Sequence, residues 1–369
     1  MLSLVLFTDC KGSFYFKLCQ KYFNFAEIIV MKTALIIINY GTPDTARRRD
    51  VAHYLRQLLD NKHVMTMNSV GRKILVNCII APLRSRKSSK LYQRLIDVSG
   101  GEMPLKKHTR DFADRLQQLL DGKADVYVAM TAGYNLVGDV MEKVLEHNYH
   151  KIVVAPMFPQ STESTWGKAL DDVFTAVSGK LNVPPVVCIE PFFDDELYLE
   201  AICGHISQHL PDVGRVGKVV FSYHGIPLMH AEMSHPGHTC DELGCTNNIS
   251  VDNRRCYIAQ CHAQTRMMAS RLSIPPEKCV TTFQSRFADK WAAPSTDSVV
   301  RQLAKDGIKS IAVVTPSFTV DCLETIVEID GNLREIFTQN GGTEMVVIPC
   351  LNALETWVNN FCKIVAKSL

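Results

Sequence analysis

Three groups of residues in this chain have the types and spacing to do chemistry: a histidine after an apolar run, a row of carboxylates, and two pairs of cysteines. In Phe221-Ser222-Tyr223-His224-Gly225-Ile226-Pro227, His224 sits between a strand-like stretch and a Gly/Pro turn. A proton acceptor that is neutral near pH 7 would then stand at a strand end. A lone histidine of this kind is more often structural, hydrogen-bonded in a core or at its rim. Asp321, Glu324 and Glu328 follow at i, i+3 and i+7, so an α-helix would stack their carboxylates on one face. Buried, such a row must take up protons or a cation; exposed, it is a solvated acidic face near a helix N-terminus. Cys240-x4-Cys245-x10-Cys256-x4-Cys261 lies in a segment rich in Asn, Asp and Gly with no core periodicity. Two closely spaced pairs of thiols point to a metal, and the spacing suits zinc or an iron–sulfur cluster equally. His235, His238 and His262 stand near enough to replace a missing cysteine.

The elements that position these groups are legible in the hydrophobic pattern. From residue 33 onward, short β-branched runs alternate with longer amphipathic segments, predicting βα units and a mainly parallel sheet. The strands are expected over 33–38, 125–130, 152–156, 186–190, 218–223, 279–283, 311–315 and 345–348. Helices are expected over 104–120, 136–147, 197–210, 296–305, 322–339 and 354–365. Lys151-Ile152-Val153-Val154-Ala155-Pro156-Met157-Phe158 is echoed by Ser310-Ile311-Ala312-Val313-Val314-Thr315-Pro316-Ser317-Phe318, which suggests two similar halves. Strand-to-proline punctuation is common enough to produce the echo by coincidence. The boundary between halves is expected at Val183-Pro184-Pro185. Ligands of open α/β sheets sit beyond the carboxyl ends of the strands, which selects residues 39–44, 131–135, 158–165, 224–227, 284–286 and 316–324.

Length and composition bound the answer. A chain of 369 residues suits two domains or one large α/β unit, and 46% hydrophobic with 21% charged residues is ordinary globular composition. A formal net charge of +2 excludes a global field for nucleic acid, so any anion site must be local. No apolar run reaches the roughly 18 residues of a membrane span. Residues 2–7 are apolar but lack a basic region before them and a small-residue cleavage site after them, so a signal peptide is not expected. Met31 directly precedes the first strand, and residues 1–30 are read as an extension upstream of a natural start. Thirteen cysteines without a secretory signal predict a reducing, cytoplasmic setting.

Five ordered motifs carry a family resemblance: Asn39-Tyr40-Gly41-Thr42-Pro43-Asp44, Phe158-Pro159-Gln160-Ser161, Ser222-Tyr223-His224-Gly225-Ile226-Pro227, Thr282-Phe283-Gln284-Ser285-Arg286-Phe287 and Asp321-Cys322-Leu323-Glu324-Thr325. Together they resemble the ferrochelatases, lyases that insert ferrous iron into a porphyrin in the last step of haem synthesis. The resemblance covers essentially everything after Met31. It implies two Rossmann-like halves, 31–183 and 184–350, around a porphyrin cleft, with a cysteine insert at 234–261 and a terminal helix, 351–369, packing across both. It also implies a metal-insertion pair of His224 and Glu324, extended by Asp321 and Glu328, with Tyr40 facing the macrocycle. Ser161, Trp166, Tyr223 and Arg286 are the further expected porphyrin contacts. For Cys240, Cys245, Cys256 and Cys261 the resemblance favours a [2Fe–2S] cluster over zinc, serving a structural or sensing role, because metal insertion needs no electron.

The chain departs from the family pattern in two places. Thr131-Ala132-Gly133-Tyr134 stands where family members commonly have Arg-Tyr-Gly, and Phe158-Pro159-Gln160-Ser161-Thr162, followed by Trp166, replaces Tyr-Pro-Gln-Tyr-Ser. Both leave His224 and Glu324 intact but bear on which porphyrin side chains are read. Between residues 62 and 94 there is no acidic residue, while Lys62, Arg72, Lys73, Arg84, Arg86, Lys87, Lys90 and Arg94 alternate with apolar side chains. That pattern suits a cationic lip for propionates, touching the inner face of a membrane peripherally, or a solvated helix face. The rival functions are a chelatase for another metal or tetrapyrrole and a non-catalytic porphyrin-binding iron–sulfur sensor. Oligomeric state is not legible in the sequence.

Overall fold

The structure, a computed structural model, describes residues 32–210, 212–286 and 289–369. The expected extension, residues 1–30, lies outside the described residues.

Among the described residues, eight strands form two separate four-stranded sheets, and every pairing between these strands is parallel. The first contains β1 (Thr33–Asn39), β2 (Ala124–Met130), β3 (Lys151–Pro156) and β4 (Val186–Cys188), in the order β2-β1-β3-β4. The second contains β5 (Lys218–His224), β6 (Cys279–Gln284), β7 (Ser310–Val314) and β8 (Glu344–Val347), in the order β6-β5-β7-β8. All seven residues of β1 are buried, as its unbroken Ala-Leu-Ile-Ile-Ile run requires of a parallel strand covered on both faces. The two orders are the same, so β3 and β7, whose sequences echo each other, hold equivalent places. After each comes a wide helix bonded i→i+5, Glu163–Gly167 in one half and Glu324–Leu333 in the other.

Two expectations change. β4 lies beyond Pro184-Pro185 and pairs with β3, so the first sheet extends past the expected boundary at residue 183. The helix expected over 322–339 is a π-helix over Glu324–Leu333 that continues as an α-helix over Arg334–Gln339. A turn wider than 3.6 residues brings Glu324 and Glu328 nearly over one another and leaves Asp321 ahead of the helix.

One core cluster spans both halves. It joins Leu35 and Ile37 of β1 to Val219 and Phe221 of β5, and to Trp357 and Phe361 of the terminal helix Glu355–Ala366. Trp357 is fully buried; its ring centroid lies 6.0 Å from Phe112 on the helix Pro104–Leu119 and 5.4 Å from Tyr198 on the helix Glu196–His209. Among the described residues, no helix is long and apolar enough to cross a membrane.

Candidate active site

In each sheet the chain reverses its winding between two adjacent strands, β1 and β3 in one, β5 and β7 in the other. That switch point is where an open parallel sheet leaves a crevice at its carboxyl edge. At the first stand Tyr40 and Phe158, edge to face with centroids 6.5 Å apart. At the second stand His224 and Phe318, also edge to face, at 5.9 Å. The turn after β1 is pressed against the turn after β2. A Cβ on Gly41, which has φ +104°, would lie 1.8 Å from the Ala132 carbonyl oxygen, and one on Gly133, at φ +93°, would lie 2.2 Å from that of Thr42. Only glycine permits both the approach and the backbone conformation.

His224 is held by its backbone. Its N–H donates to Ser317 Oγ (3.2 Å), its carbonyl accepts from the Tyr257 hydroxyl (2.8 Å), and Tyr257 and Ser317 are themselves hydrogen-bonded at 2.9 Å. The imidazole is thereby left for other work: Nδ1 is shielded from water and has no hydrogen-bond partner. Burial lowers the His224 pKa and the nearby Glu324 carboxylate opposes that shift, so the ring stands neutral and receptive near pH 7. The same Glu324 charge, added to burial, pushes up the Tyr40 phenol. Glu328 is raised to about 7, first by burial and then by Glu324, while the Ser285 hydroxyl donates to its Oε2 at 2.5 Å. Ser285 has φ +58°, a strained conformation for a residue with a Cβ, at the place where it reaches Glu328.

Asp321 does not join this group. Its carboxylate accepts from Asn352 Nδ2 (2.7 Å), Thr325 Oγ1 (2.9 Å) and the Cys350 N–H (3.2 Å), which ties the loop after β7 to the loop after β8. Tyr223 also turns away from the crevice. It is fully buried in the shared core, its hydroxyl hydrogen-bonded to Thr265 Oγ1, because side chains alternate along β5. Ser161 is partly exposed, with its N–H bonded to Gln260 Oε1 at 2.7 Å. Trp166 lies in the π-helix after β3, its indole N–H shielded and without an acceptor. Arg286 donates to the carbonyls of Asp289 (3.2 Å) and Trp291 (3.3 Å), so it shapes the loop after β6.

Residues the sequence did not single out sew the two crevices together. Gln160 Nε2 donates to Gln264 Oε1 (2.5 Å) and to the Pro316 carbonyl (3.1 Å), and Thr319 Oγ1 donates to the Met157 carbonyl (3.2 Å). Met157, Gln160, Pro316 and Thr319 flank the two echoed strand ends, whereas Gln264, on the helix Tyr257–Arg271, carries no such sequence signal.

In the insert, His235 Nε2 and the Sγ atoms of Cys240, Cys245 and Cys256 all lie within 4.8 Å of one another, and all four side chains are buried. Cys261, expected as the fourth thiolate, is outside this group; it is fully buried on the helix Tyr257–Arg271, beside Tyr257. Hydrogen bonding from Cys240 pulls Cys256 down to about 5, toward its thiolate form.

Comparison with known proteins bears on what such a site belongs to. The ferrochelatase family model matches residues 32–369. The chain belongs to the ferrochelatase family. It is 33% identical to the ferrochelatase of a Bradyrhizobium species, over 87% of each chain. It is 34% identical to that of Coxiella burnetii, over 92% of this chain and 94% of the relative, and 32% identical to that of Legionella pneumophila, over 92% and 100%.

Within the family framework, the basic segment forms a nearly continuous helical arm, Ser69–Ile74, Leu75–Ile80 and Ala81–Val98. Several of its cations are held in ion pairs, although Lys62 and Arg94 among them stay exposed. Arg72 is buried in an ion pair with Asp60 (3.0 Å), Lys62 pairs with Asp171 (2.9 Å) and Arg94 with Glu335 (3.5 Å). Lys73, Arg86, Lys87 and Lys90 are exposed, and so are Val70 (67%), Ile74 (58%), Ile79 (48%) and Leu83 (73%). Four apolar side chains on one arm are more than scattered surface residues.

Proposed function

We propose that this chain is a lyase that inserts Fe²⁺ into protoporphyrin IX, or a closely related porphyrin, releasing two protons to form haem. The observation that carries the reading is an imidazole with an unpartnered ring nitrogen beside a pair of carboxylates, in a family whose relatives are ferrochelatases.

The reaction must remove two pyrrole N–H protons while iron enters, and a flat macrocycle presents neither its protons nor its lone pairs well. Apolar contact with Tyr40, Phe158, Trp166 and Phe318 can supply the energy that bends the ring. His224 then accepts a proton on one face. Glu324 holds the incoming metal or passes on the second proton; imidazole and carboxylate together suit Fe²⁺. Glu328, ionising near neutrality, is matched to receive that proton and release it toward solvent.

Contact with the inner face of a membrane is part of the same reading. The helical arm offers exposed aliphatic side chains beside exposed cations, the combination that binds an anionic interface peripherally. The insert supplies a metal site rather than an electron carrier, since insertion transfers no electron. The test is anaerobic mixing of the protein with protoporphyrin IX and Fe²⁺. Catalytic loss of porphyrin fluorescence is expected, whereas porphyrin that binds and stays fluorescent would overturn the assignment.

A further inference from the structure

Outside the crevice, the four buried donors of the insert make the densest cluster of metal-binding groups among the described residues. The separations between them carry information about what they hold. Cys240 Sγ lies 3.7 Å from Cys256 Sγ and 3.7 Å from His235 Nε2, and Cys245 Sγ lies 3.8 Å from His235 Nε2. A tetrahedral zinc with Zn–S of about 2.3 Å and Zn–N of about 2.0 Å sets its ligand atoms roughly 3.5 to 3.8 Å apart. A [2Fe–2S] cluster divides its ligands between two irons, so ligands of opposite irons are held apart by the width of the Fe₂S₂ core. Four donors mutually within 4.8 Å fit one ion and do not fit two.

The surroundings of the cluster agree. His235 Nδ1 lies 2.9 Å from the His238 carbonyl, a bond it can make only as donor, so in the neutral ring the proton sits on Nδ1 and the Nε2 lone pair faces the thiols. Asn253 Nδ2 is 3.6 Å from Cys245 Sγ and 3.0 Å from the Asn248 carbonyl, while its Oδ1 accepts from the Ser250 N–H at 2.7 Å. One side chain thus closes the insert around the thiols. Three soft ligands, one imidazole and no open face are the features of a structural zinc site.

We propose that the insert binds a single zinc ion through His235, Cys240, Cys245 and Cys256, and that Cys261 is no ligand. The ion's place in the molecule gives it a task. Cys256 immediately precedes Tyr257, whose hydroxyl holds the His224 carbonyl, so the zinc anchors the helix that supports the His224 strand end.

The experiment uses the full chain expressed anaerobically with both iron and zinc supplied, and reads bound metals and acid-labile sulfide per chain. One zinc and no sulfide are expected. Cys261→Ser should keep its zinc, His235→Ala should lose tenfold or more in zinc affinity, and His235→Cys should restore binding. The last two variants keep the test informative where Cys245→Ser fails to fold. Two irons with two sulfides per chain, no metal at all, or loss of zinc in Cys261→Ser with retention in His235→Ala would overturn the proposal. None of these readouts requires turnover, so they fail or succeed independently of the chelatase reading.

Discussion

In the proposed reaction, environment divides the proton work between two residues of the crevice. Burial keeps His224 neutral, and the Glu324 charge limits how far its basicity falls. Burial and the same charge hold a proton on Glu328 up to about 7, against 4.5 in the open chain. The folded state therefore binds that proton where the unfolded state has released it. The stability this lends is fully present below pH 4.5 and is lost as pH rises through 7. Glu328→Gln, which cannot ionise, should gain on the wild type by about 2 kcal/mol between pH 5 and pH 8, read as a difference in denaturation midpoint. An unchanged difference across that range would mean that Glu328 ionises normally. The pattern Phe-Ser-Tyr-His-Gly was enough to place His224, because a strand end is a local property. Two of the three partners of Asp321, Cys350 and Asn352, lie about thirty residues away, and only the fold brings them to it, so spacing alone counted Asp321 with the acids of the crevice. Likewise, the thiol pattern marked three of the four clustered donors, Cys240, Cys245 and Cys256, but not the fourth: His235 comes from a segment with no periodicity, while Cys261 lies on the helix Tyr257–Arg271, outside the group.

Among the elements, the eight strands were legible within a residue or two, because parallel strands buried on both faces read as unbroken apolar runs. β4 is three residues long and partly exposed, so nothing in its pattern assigned it to the first sheet, and the proline pair ahead of it looked like a boundary. The π-helices were not legible at all. Helical periodicity is read at 3.6 residues per turn, and a wider turn changes which carboxylates share a face. The crossing of the turns after β1 and β2 makes its own demand. Gly41→Ala would force a methyl group into the Ala132 carbonyl at a positive φ, and should cost about 3 kcal/mol or more. Thermal unfolding reads this directly, and a wild-type midpoint would show that the crossing is looser than described.

The whole molecule is a repeat put to asymmetric use. Both halves have the same strand order, both leave an edge-to-face ring pair at the switch point, and both follow it with a π-helix. One half supplies the phenol of Tyr40 and the other the imidazole and carboxylates, while Gln160, Thr319 and the Trp357 cluster fix the two crevices against each other. Such rigidity lets ring binding do work on the ring, and it separates binding from insertion. The most direct measurement follows porphyrin absorption and fluorescence together, anaerobically with Fe²⁺, in wild type and His224→Ala. The account predicts that the variant binds porphyrin with near wild-type affinity and inserts iron at least a hundredfold more slowly. Insertion at the wild-type rate by His224→Ala would contradict it.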